Sequence, residues 1–164
     1  MNLKPVEMKF VARFLSLTLL AGAALFYASC DGGGEDTKSE EETQLESLSK
    51  TWTFQTATLD GAPRTADFNA MKLTLSGAFT AGGVYNYSIT GTTPTPSPWK
   101  RSGTWKFGSS VATQIIRDPG SDDELEMNYS LSNGTLTISF NCETCDFDGG
   151  RVSSVNGPWI FTFN

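Results

Sequence analysis

From Thr51 to the C-terminus the chain is written as a series of short stretches in which apolar and polar residues alternate with a period of two. That period belongs to a half-buried β-strand, because successive side chains leave opposite faces of the backbone. "TWTFQTATL" sets Trp52, Phe54, Thr56 and Thr58 on one face. "MKLTLSG" does the same for Met71, Leu73 and Leu75, and "VYNYSIT" for Tyr85, Tyr87 and Ile89. "GTWKFG" aligns Trp105 with Phe107, and "VATQIIR" is a shorter, less regular stretch. "LEMNYSL" aligns Leu125, Met127, Tyr129 and Leu131. "TLTISFN" aligns Leu136, Ile138 and Phe140, and "PWIFTFN" aligns Trp159, Phe161 and Phe163. After residue 50 no convincing helical period interrupts the series, so no parallel crossover is available.

The links carry turn chemistry. Asn133-Gly134 suits a two-residue hairpin because both positions tolerate positive φ. Asn156-Gly157-Pro158 marks another turn. "TTPTPSPWK", residues 92–100, contains three prolines that cannot donate to a ladder, which predicts a loop. Eight sequential antiparallel strands predict an all-β meander. Closing it into a barrel removes both exposed edges. Eight strands leave room inside for side chains or one small ligand. Trp52, Phe54, Tyr85, Tyr87, Trp105, Phe107, Trp159, Phe161 and Phe163 are expected on the inner face. Each aromatic buries about 150–250 Å², so the expectation is a mostly filled barrel, with any cavity small and near one rim.

The N-terminal third is different. Residues 8–30 read "MKFVARFLSLTLLAGAALFYASC". Lys9 and Arg13 precede an apolar run from Phe14 to Phe26, 13 residues long. A transmembrane helix needs about 20; a positive n-region and a short apolar core form a secretory signal. Translation starts at Met1 or at Met8. Ala28, Ser29 and Cys30 close the signal and resemble the lipobox of bacterial lipoproteins. The resemblance implies cleavage before Cys30 and acylation of its thiol. Each buried CH₂ contributes about 0.8 kcal/mol, so two or more chains hold a protein firmly at a membrane. "DGGGEDTKSEEETQ" comes next, acidic and glycine-rich with no hydrophobic residue, and reads as a flexible tether. Acidic residues at that place resemble the surface-export signals of some Gram-negative lipoproteins, whereas Asp31 alone resembles an inner-membrane retention signal; the outer membrane is favoured. "LESLSK" reads as one short helical turn. The domain plan is thus a signal peptide over 1–29, a lipidated cysteine and tether over 30–46, and a barrel over 47–164.

Composition narrows the function classes. The chain has no histidine, which removes imidazole as base, shuttle or metal ligand. Removing the signal leaves 9 of 12 basic and 17 of 18 acidic residues, a net charge of −8. Such a chain is a poor nucleic-acid binder, because phosphate neutralisation drives most of that affinity. Cys142 and Cys145 form C-E-T-C after a strand, without the helix that depresses a redox thiol's pKa and without enough partners for zinc; they read as a local disulfide. "DPGSDDE" (118–124) and "DFDGG" (146–150) lack the spacing of a calcium loop and read as solvated hairpin ends. No metal or cofactor is expected. Trp99, in the proline-rich loop, is the candidate for an exposed ligand or partner contact.

Several of these stretches, "SLSKTWTFQTATLDG", "GVYNYSITG", "PWKRSGTWKFG" and "GGRVSSVNGPWIFTFN" among them, together resemble the short lipocalin-like lipoproteins of Gram-negative bacteria over roughly residues 45–164. The resemblance implies an eight-stranded lipocalin-like barrel. It also implies that Arg151 covers an aromatic such as Trp52 at the barrel end, and Trp52 and Arg151 join Trp99 as possible ligand or partner contacts. The expected function is a non-enzymatic envelope module, lipid-anchored and binding a small apolar or amphipathic molecule. An interaction subunit meeting an envelope protein through its loops is the alternative. A hydrolase using loop carboxylates is the third.

Overall fold

The computed structural model describes residues 37–145, 147, 149 and 155–164. The signal, Cys30, the start of the tether and Arg151 lie outside them. The compact unit is Lys38–Asn164.

All eight expected strands are present: β1 (Thr51–Leu59), β3 (Lys72–Ser76), β4 (Tyr85–Thr90), β5 (Ser102–Phe107), β6 (Gln114–Arg117), β7 (Leu125–Ser132), β8 (Thr135–Cys142) and β9 (Gly157–Phe163). A two-residue strand, β2 (Ala62–Pro63), folds back on the end of β1. Each of the eight pairs antiparallel with its neighbour in the order β1-β3-β4-β5-β6-β7-β8-β9, and β1 pairs with β9 to close the barrel. The hairpin between β7 and β8 turns through Asn133 and Gly134 at φ 50° and 78°, the double positive φ of a type I′ turn.

The alternation is obeyed nearly everywhere. Leu73, Tyr87, Trp105, Met127, Ile138 and Phe161 are buried, and Leu125 and Leu131, on the face of Met127, are partly buried at the ends of their strand. The exception is the second half of β1. Its ladder to β9 pairs Phe54 with Phe163 and then Thr56 with Thr162, so Gln55 is an extra residue. A bulge of this kind reverses the facing of every residue after it in the strand. Ala57 therefore points inward and is 1% exposed, while Thr56 is exposed. Phe54 is only partly buried.

The tether ends earlier than expected. Glu40–Leu48 forms a helix, α1, that takes up the last residues of the span assigned to the tether and most of the expected "LESLSK" turn. Ser39 caps it, its Oγ accepting from the Glu42 N–H at 3.1 Å. Glu40, Glu41 and Glu42 fill the first turn, where carboxylates are favoured by the helix dipole. Leu45 and Leu48 are buried. The acidic run thus serves as a helix start, and the two leucines dock it.

Strand connectivity gives the barrel two distinct ends. One carries the start of β1, the links β3–β4 and β5–β6, and the Asn133-Gly134 hairpin. Helix α1 covers this end: the Trp52 indole N–H donates to Leu48 O at 2.9 Å, Gly82 N–H to Glu41 at 3.1 Å, and Tyr129 Oη–H to Gln44 Oε1 at 3.3 Å. The other end carries the β4–β5, β6–β7 and β8–β9 links.

Candidate functional site

The β4–β5 link, residues 91–101, is the proline-rich loop. Pro96, Ser97, Pro98 and Trp99 are buried in a row. Trp99 is therefore not the exposed contact expected of it; it is 3% exposed and its ring sits inside the barrel. It meets Phe140 and Phe161 edge-on, both at 5.4 Å between centroids, and Tyr87 at 6.4 Å. The prolines explain how. They surrender backbone donors, which makes a buried loop cheaper to desolvate. The remaining donors are satisfied locally: Ser97 and Phe147 exchange backbone bonds of 2.8 and 3.0 Å, and Trp99 N–H donates to Ser97 Oγ at 3.1 Å. Among the described residues Trp99 Nε1–H has no acceptor.

Arg117 lies beside this plug. On β6 it shares the inward face with Ile115, and it is 2% exposed. Its Nη1 donates to Pro98 O at 2.9 Å. Its guanidinium lies 4.9 Å from the Phe147 ring, 5.9 Å from Trp99 and 6.0 Å from Phe140, within cation–π range. Burial lowers its pKa from the usual arginine value. The next residue, Asp118, supplies the counter-charge, its Oδ2 3.7 Å from Arg117 Nε and 3.7 Å from Lys100 Nζ. Asp118 accepts from Thr104 N–H at 2.9 Å and from Tyr87 Oη–H at 3.2 Å. Burial, ahead of every other cause, pushes the Tyr87 phenol upward. Lys100 also pairs with Asp123. Arg117 and Asp118 are not among the residues expected at a site from sequence. The signal is there all the same: the strand phase that puts Ile115 inside puts Arg117 there too.

The barrel is filled. An interior cavity of ≈ 10 Å³ remains between Leu73, Trp99, Trp105, Arg117, Met127 and Ile138, room for about one water. Outside the plug, a rim cleft of ≈ 330 Å³ lies between residues 122–126 on one side and residues 141–145 and Phe147 on the other. Asp122, Asp123, Glu124, Glu126 and Glu143 contribute to its wall. Several of these carboxylates are engaged: Glu124 accepts from Gly120 N–H at 2.6 Å, and Glu143 from Asn141 Nδ2 at 3.4 Å. Among the described residues no group of three or more metal-type ligands converges, and no helix is long and apolar enough to cross a membrane.

Cys142 and Cys145 are joined by a disulfide with Cα atoms 5.6 Å apart, closing the end of β8. Trp52, the other expected contact, is fully buried at the helix end. Among the described residues the cation over its ring is Lys50, with Nζ 3.8 Å from the centroid; Arg151 lies outside them. Trp52 and Trp99 thus sit at opposite ends and make no common site.

At the level the fold defines, the domain is a closed eight-stranded antiparallel β-barrel with one short additional strand. Comparison with family models, with curated proteins and with solved structures finds no match to this chain.

Proposed function

We propose that the protein is a lipid-anchored, non-enzymatic barrel module of the Gram-negative envelope that takes up a small apolar or amphipathic molecule, of the lipocalin-like lipoprotein kind. Cys30 carries the acyl chains and holds the domain at the outer membrane. One observation carries the ligand-binding part. The two ends of the barrel are closed by different means, one by a helix docked through Leu45 and Leu48, the other by a loop whose Trp99 reaches into an aromatic interior. A small molecule has its route at the loop end. The interaction-subunit reading loses its anchor because Trp99 is buried; among the described residues Val84 and Ile160 are the exposed large hydrophobics. The hydrolase reading is disfavoured because Asp123 and Glu124 of the rim cleft serve loop closure.

Two measurements test this. Cys30→Ser should abolish incorporation of labelled palmitate and leave unprocessed precursor; a serine variant that still takes up label removes the anchor. Protein purified from its native membrane should carry a stoichiometric small molecule visible by native mass spectrometry. A bare protein of sequence mass plus acyl chains would remove the ligand.

A further inference from the structure

The seat of Trp99 has the composition of a binding site. Phe140 and Phe161 present edge-to-face contacts at interplanar angles of 86° and 79°, Tyr87 adds a third at 67°, and the Arg117 guanidinium lies near the ring face. Edge-to-face rings and a cation favour a planar, electron-rich aromatic over an aliphatic group of equal size. The occupant is supplied by a loop, not by a strand, so withdrawing it disturbs no ladder hydrogen bond of the barrel.

The loop is also held with an uncompensated cost. The Trp99 Nε1–H is buried with no acceptor among the described residues, and an unsatisfied buried donor opposes the state that buries it. Pro94, Pro96 and Pro98 contribute no backbone donors to fasten it. Its described fastenings are the Ser97–Phe147 exchange, the Arg117–Pro98 bond, the Thr92 N–H to Asn69 O bond and, at its end, the pairs of the partly exposed Lys100 with Asp118 and Asp123. The helix end contrasts: there the Trp52 indole N–H is satisfied by Leu48 O.

From this we infer that Trp99 is an internal stand-in for the ligand. The seat between Tyr87, Phe140, Phe161 and Arg117 binds a planar, electron-rich aromatic or heteroaromatic molecule of about indole size when residues 92–100 swing out. The inference rests on the ligand-binding reading above and names the class of ligand and the gate. Ligand and plug compete for one space, so the apparent affinity of the intact protein is reduced by the fraction of time the plug is out.

The test uses indole as probe and the mature chain as protein. Trp99→Ala opens a cavity of side-chain size between three aromatic rings and the Arg117 guanidinium, into which an aromatic guest fits. Indole should raise the Tm of Trp99→Ala by several degrees at saturation, bind at least tenfold more weakly to the unsubstituted protein, and outbind cyclohexanol in the variant at least threefold. Equal affinity in both proteins, or equal binding of cyclohexanol, overturns the proposal. If Trp99→Ala does not fold, hydrogen exchange on the unsubstituted protein decides. The amides of Ser97 and Trp99 should exchange faster than those of β8 and β9, and indole should accelerate the loop alone. Loop amides that exchange only with the whole barrel, and ignore indole, overturn it equally. Failure here leaves the parent reading to its own test, since a native ligand recovered by mass spectrometry could still occupy the rim cleft.

Discussion

Arg117 Nη1 donates to the carbonyl of Pro98 at 2.9 Å, so a barrel strand is tied directly to the loop that plugs the barrel. The guanidinium is a buried cation, and its partners are the Asp118 carboxylate, one carbonyl and three aromatic rings.

Removing that cation strands its counter-ion. In Arg117→Ala, Asp118 keeps Lys100 but loses the partner on its inner side, and the plug loses its strand tie. Breaking one side of a buried pair costs about 3–5 kcal/mol, a figure Lys100 pulls toward its lower end. Urea unfolding followed by tryptophan fluorescence measures the loss. A variant within about 1 kcal/mol of the parent, the range of an exposed ion pair, would show that the pair contributes little.

Gly103 sits where no side chain fits. A Cβ there would lie 2.1 Å from Asp118 Oδ1 and 2.7 Å from Tyr87 Cε1. Gly103→Ala must displace both groups, and overpacking of this kind costs about 1–3 kcal/mol. A lowered Tm with a loosened Tyr87–Asp118 contact is the expected outcome.

Two tyrosines give the protein an alkaline limit. Burial raises Tyr87 well above an ordinary phenol and pushes Tyr129 up to about 12. A folded-state pKa above the unfolded value near 10 favours the neutral form in the folded barrel. The stability it contributes is therefore fully present below pH ~10 and is lost as pH rises through the folded values. Phenolate absorbance should show Tyr87 and Tyr129 ionising late, with Tyr85 also above an ordinary phenol, and unfolding free energy falling over the same range.

The disulfide closes a short loop. On the chain-entropy account a loop of about four residues is worth about 2 kcal/mol at most. The double substitution Cys142→Ser, Cys145→Ser should lower the urea midpoint modestly and keep the far-ultraviolet spectrum. A larger effect would fit a role in seating Phe147, whose backbone is paired with Ser97 of the plug.

Legibility in the sequence tracks where local patterns carry the information. The strands announce themselves by alternation, and their order by turn residues such as Asn133-Gly134. Gln55 does not, since a bulge is a property of the ladder between β1 and β9 and leaves no mark in β1 alone. Trp99 misleads for a related reason: three prolines identify a loop, but only the tertiary fold turns that loop inward. The acidic run before Leu45 looks like solvated chain, because its helix depends on the Ser39 cap and on Leu45 and Leu48 finding the barrel end. Arg117 is readable from the phase of Ile115, yet a charge on an inner face runs against the expectation that strands hide only apolar groups.

A filled barrel is the premise of both the anchor-plus-barrel reading and the plug, and Trp105 tests it most directly. Its ring is 1% exposed, packs 5.1 Å from Tyr85 and 5.2 Å from Phe107, and borders the small interior cavity. Trp105→Ala should lower the unfolding free energy by about 3–5 kcal/mol, as truncation of a large core aromatic does. Full stability in that variant would mean that Trp105 lines open space, contradicting a barrel filled by its own side chains.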